Sequence, residues 1–133
     1  MSDRAVTDPA LVTELRQLID SARQRAAVAV NAELTLLYWQ IGRRIHREVL
    51  AGKRAGYGEE IVSALGRQLT AEYGRGFSVK NLRHMIRFAE VFPEEEKVSA
   101  LRRQLSWTHL KSLIYLDDSL KREFYIELCQ LEG

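Results

Sequence analysis

Between Pro9 and Pro93 the chain holds no proline, and over the first half of that span its apolar residues recur at helical spacing. Leu11, Leu15, Leu18, Ala22, Ala26, Ala29, Leu37, Ile41 and Ile45 are separated by intervals built from three and four, which puts them on one helical stripe; a strand would need strict alternation. Asp8 before Pro9 marks the start, because proline is tolerated at the first helical position and an aspartate can accept from the orphan amides. The pattern predicts a helix of about forty residues, with Asn31 and Gly42 as the places where it would bend or break. Such a helix is longer than one compact domain usually needs. Either other helices pack along it, or part of it projects toward a partner chain.

The remaining punctuation divides the chain into further helices. "AGKRAGYG", residues 51 to 58, is the clearest loop, with three glycines in eight residues. Residues 59 to 73 place Ile61, Leu65 and Leu69 on one face, open with Glu59 and Glu60 at the positive helix end, and stop before Gly74. "GRGFS" forms the next turn, with Ser78 as N-cap of a helix reaching about Phe92, where Pro93 ends it. A short helix over Glu94 to Arg103, one from the Ser106 cap to Leu116 and a last one from Asp118 complete the chain. The expectation is an all-α fold of five to six helices in one domain spanning residues 1–133, a length that can bury its own core.

Function enters through charge. The net charge of +2 is small, so only clustering could produce a strong field. Two clusters exist: Arg43, Arg44, Arg47, Lys53 and Arg54 against the single acid Glu48, and Arg75, Lys80, Arg83 and Arg87 against Glu90. At about 100° per residue, with Lys80 as zero, Arg83 falls near 300°, Arg87 near 340° and His84 near 40°. Leu82, Met85, Ile86, Ala89 and Phe92 occupy the opposite arc and face the core. A helix, a tight glycine-containing turn, and a second helix with a basic outer face and Asn81 near its start outline a helix-turn-helix reader. Arginine and lysine neutralise phosphates, while an asparagine or arginine near the helix start reaches base edges. The candidate DNA-contact residues are therefore Ser78, Lys80, Asn81, Arg83, His84 and Arg87. Arg43, Arg44 and Arg47 would serve as outer phosphate contacts if the fold brings them alongside. The competing readings are a basic face that is merely solvated, and an interaction module in which the long helix pairs with a second copy or another protein. The Ala-rich stretch from Arg25 to Ala32 would permit close approach in such a pair.

Other chemistries find little footing. His46, His84 and His109 are scattered, and with Cys129 as the lone cysteine no HExxH or CxxC spacing exists, so no metal or cofactor is expected. No phosphate-cradling glycine loop follows a strand. "EEK" at Glu95 to Lys97 matches half of the PD-(D/E)XK nuclease motif, yet no aspartate lies between Asp20 and Asp117 to complete the metal pair. Trp39, Tyr38, Trp107, Tyr115 and Tyr125 could stack on bases, though aromatics at helical spacing among leucines and isoleucines are expected in the core. No catalytic site and no small-molecule ligand are expected within these residues. The lone cysteine, the absence of a signal-peptide pattern and the absence of a membrane-length apolar run lead to an expected cytoplasmic location without membrane association.

Four blocks, "YWQIGRRI" (38 to 45), "YGEEIVSALGRQLTAEYGRGFSVKNLRHMIRFAEVFP" (57 to 93), "QLSWTHLKSLI" (104 to 114) and "LKREFYIELC" (120 to 129), occur in an order that resembles the N-terminal helical domain of bacterial YhcG-like proteins. The resemblance implies a helical domain that precedes a PD-(D/E)XK nuclease-like domain lying downstream of Gly133, with any catalysis located there. It carries over no established functional residues.

Overall fold

The computed structural model describes residues 8–51 and 56–132, and within them the chain is all α. The helices are α1 (Pro9–Ala51), α2 (Tyr57–Tyr73), α3 (Val79–Val91), α4 (Glu95–Leu101), α5 (Trp107–Leu113) and α6 (Ser119–Glu132), with a 3-10 turn, Arg75–Phe77, between α2 and α3. The expected capping chemistry is in place. Asp8 Oδ1 accepts from the Ala10 amide at 3.0 Å, Ser78 Oγ from the Asn81 amide at 3.3 Å, and Ser106 Oγ from the His109 amide at 3.3 Å. Lys53 and Arg54 of the expected first basic cluster lie outside the described residues.

α3 is the central element. Its Leu82 and Met85 pack with Ile45 of α1 and Val62 of α2 on one side. Its Phe88 and Ala89, with Phe92 at its C-cap, join Trp39, Val98, Leu101, Leu110, Ile114 and Ile126 on the other. Phe88, at the border between the basic and apolar arcs, is wholly buried, because α5 covers that flank as well. Trp39 links the two long elements: its ring is buried and its indole Nε1 donates to the Phe92 carbonyl at 2.7 Å, satisfying a carbonyl that Pro93 leaves at the end of α3.

α1 runs without interruption through Asn31 and Gly42, so neither expected break occurs. Gly42 is there for close approach. A Cβ at this position would lie 1.9 Å from the Met85 carbonyl oxygen, so α1 and α3 touch backbone to backbone. Gly42→Ala is expected to force the helices apart and cost about 1–3 kcal/mol, since backbone cannot move aside as a side chain can. Gly76→Ala, with nothing within 4 Å, is the control and should be near neutral in the same urea denaturation series.

The two halves of α1 differ sharply. Its C-terminal half is built into the core, whereas from Pro9 to Asn31 every residue but Val12 is exposed, including Leu11, Leu15, Leu18, Ile19, Val28 and Val30. The N-terminal half therefore projects from the body with an apolar stripe that no described residue covers. Leu120, Phe124 and Leu131 on α6 are likewise exposed. No helix among the described residues is long and apolar enough to cross a membrane.

Candidate nucleic-acid interface

Around Gly74 the chain passes from α2 through the 3-10 turn into α3, and each local signal agrees with that path. Gly74 supplies a φ of 99°, a conformation that side chains disfavour, and its amide closes α2 on the Thr70 carbonyl. Gly66 of α2 allows Val79 to approach so closely that an added Cβ would sit 2.3 Å from Val79 Cγ2. The Asn81 side-chain amide donates to the Arg75 carbonyl at 3.2 Å, tying the turn to the first turn of α3. Ser78 is consequently a cap and a fixed point of the turn.

The outer face of α3 carries Lys80, Arg83, His84 and Arg87 as the spacing predicts, but these side chains are in different situations. Lys80 is exposed and makes no ion pair with any described residue. Arg83 pairs with Glu59 at 2.9 Å, with both side chains more than half exposed, so the pair contributes about 0–1 kcal/mol and exchanges readily for another anion. Arg87 is committed to the fold. Its Nε donates to the Ile114 carbonyl at 2.9 Å, and it lies 4.0 Å from Glu90.

The Arg87 contact brings the turn after α5 beside α3, where Tyr115 meets His84 with 2.6 Å between the hydroxyl and Nδ1. Burial first, then Lys111 and Lys80, hold the His84 pKa below its ordinary 6.5. The imidazole and the Tyr115 hydroxyl share one hydrogen bond, whose direction follows the imidazole tautomer. The two lysines come from different helices, Lys80 from α3 and Lys111 from α5. Lys111 and Tyr115 were not singled out for this face by sequence reasoning, because only the fold brings α5 to α3.

Arg43, Arg44 and Arg47 are not brought alongside. With Gly42, which faces α3, as zero, Arg43 falls near 100°, Arg47 near 140° and Arg44 near 200° around α1. Arg43 lies over the Trp39 ring at 5.1 Å, and Arg44 pairs with Glu48 at 3.1 Å above an apolar groove between α1 and α2. Of the aromatic candidates, Trp39 is core, Tyr38 and Trp107 are packed together, and Tyr115 and Tyr125 are exposed. Among the described residues no group of His, Cys, Asp and Glu is placed to hold a metal ion.

The family model described as the DUF1016 N-terminal domain matches residues 14–133. The chain belongs to this family. A relative from Escherichia coli (strain K12), named "Putative nuclease YhcG", is 44% identical over 80 residues, which cover 59% of this chain. That match covers 21% of the relative, so the alignment spans about a fifth of its length. No solved structure matches the chain significantly. This DUF1016 N-terminal domain is thus related to a nuclease-associated domain, and its YhcG-like membership agrees with the four sequence blocks.

The depressed His84 pKa has a measurable consequence. Between the folded pKa and 6.5 the unfolded chain binds more protons than the native one, so stability is full above 6.5 and falls as pH drops through the folded value. His84→Gln is expected to remove this part of the acid sensitivity. Urea midpoints measured from pH 7.5 to 5 check it, and an identical pH profile for variant and parent would contradict it.

Proposed function

We propose that this domain binds duplex DNA through the N-terminal half of α3 and thereby helps to position a nuclease domain on its substrate. The observation that carries the reading is the outer face of α3 just after the turn, where Lys80 is exposed without an ion pair to any described residue and Arg83 is held only by a solvent-exposed pair with Glu59. Arg83 is available there by exchange from Glu59, and Arg75 extends the positive edge along the turn. Asn81, on the first turn of α3, is the base-edge candidate. Tyr115 offers an exposed ring at the rim, and Arg87 serves by holding the Ile114–Tyr115 turn in place. Ser78 fixes the entry to α3. Arg43, Arg44 and Arg47 have no part in this surface, since they point to other sides of α1.

The name of the Escherichia coli relative supports a nucleic-acid partner, and the positive end of the α3 dipole adds to the attraction of phosphates. Glu90 lies at the far end of α3, so the favourable field is confined to its first two turns. Binding is tested by fluorescence anisotropy of a labelled random duplex, and a steep loss of affinity with salt is the expected signature of phosphate contacts.

A further inference from the structure

We propose that Glu59 restrains duplex binding by competing with DNA phosphate for Arg83. The inference rests on the DNA reading above and names how that face is held in check. Arg83 Nη2 lies 2.9 Å from Glu59 Oε2, and the two residues belong to different helices, 24 positions apart in the chain. Lys80 and Arg83, three residues apart, are neighbours on the outer surface of α3, so one phosphate can meet both. A phosphate arriving there also meets the Glu59 carboxylate, which repels it and already occupies the guanidinium.

The pair is not what holds α2 to α3. Val62 of α2 is buried with Leu82 and Met85, and Gly66 admits Val79 at close range, so apolar contact fixes this crossing. Glu59 also has a second place to go. It is the third residue of α2, the position from which a glutamate side chain reaches back to the N-cap amide, and Gly56 as N-cap has no side chain to bond the first-turn amides. The positive end of α2 favours the carboxylate there without Arg83. Exchange therefore moves Glu59 from a guanidinium to a helix terminus while Arg83 passes to the phosphate. Glu90, the other acid paired along α3, does not act in this way: it lies 3.9 Å from His46 and 4.0 Å from Arg87 at the far end of the helix.

Anisotropy titration of a labelled random duplex with the 133-residue chain tests the inference at about 50 mM salt. Glu59→Gln removes the charge, and glutamine at this position still reaches the N-cap amide, so circular dichroism and the urea midpoint should stay close to the parent's. The variant should bind about two- to fivefold more tightly, the range that release of an exposed ion pair spans. Its affinity should also fall more steeply with salt, because in the parent the released Glu59 takes up a cation that offsets one lost from the DNA. The gain must depend on Arg83. In an Arg83→Gln background the same replacement should give under half of it. Glu14→Gln, the same charge change on the exposed half of α1, should leave binding near the parent's. Binding by the parent with no gain from Glu59→Gln, or an equal gain with and without Arg83, would overturn this inference and leave the proposed function standing. No binding by either chain at this salt would remove the DNA reading and this inference with it.

Discussion

Truncating Trp39 to alanine is expected to lower the unfolding free energy by about 3–5 kcal/mol, a large share of the 5–15 kcal/mol typical of a domain. The ring is buried at the junction of α1, α3 and α4, where no exposed space allows the cavity to collapse. Its loss also orphans the Phe92 carbonyl, which accepts the indole N–H at 2.7 Å. Trp39→Phe separates the two effects: most of the apolar volume stays, and the unpaired carbonyl alone should cost about 1–3 kcal/mol. Urea titrations followed by circular dichroism give both values, and the slope should be unchanged if only stability is affected. A phenylalanine variant as stable as the parent would show that the bond from α1 to the end of α3 contributes nothing net.

Reversing Lys80 and Lys111 to glutamate together is expected to weaken duplex binding by about tenfold or more at low salt and to reduce the salt slope by about one per lost phosphate contact. These two residues make the cleanest test because neither forms an ion pair with a described residue, and the expected cost to the fold is only the about 0.3–1 kcal/mol by which Lys111 favours the last turn of α5. Arg87 is a poorer choice. Its replacement would free the Ile114 carbonyl and displace Tyr115, confusing lost contact with lost structure. Reversing Arg44 and Arg47 should leave affinity nearly unchanged apart from weak long-range attraction, since both face away from α3. Equal losses from the two pairs would mean that binding follows overall charge instead of this face.

The all-α fold and its capping residues were legible in the sequence because they depend on local chemistry. Asp8, Ser78 and Ser106 each bond amides two or three residues on, and Pro93 acts on its immediate neighbour. Gly42 was misread as a break because a glycine inside a helix has two meanings, weak propensity and close approach, and only the position of Met85 decides between them. The basic face was legible as a spacing on α3, but its composition was not. Lys111 and Tyr115 join it through a contact between residues 87 and 114, and Arg43, Arg44 and Arg47 leave it through the rotation of α1 against α3. Such pairings between distant helices carry no signature in a single sequence. The uncovered stripe of α1 was partly foreseeable, since a helix of 43 residues exceeds what this body can cover.

The most direct test of the central claim is the anisotropy titration of a labelled random duplex with the parent chain and with the Lys80→Glu, Lys111→Glu variant at 50 and 200 mM salt, roughly the range over which phosphate contacts weigh most. The account predicts binding by the parent that falls steeply with salt and a variant that binds weakly with a shallower slope. Binding by both chains with the same affinity and slope, or no binding by the parent at the lower salt, would contradict it.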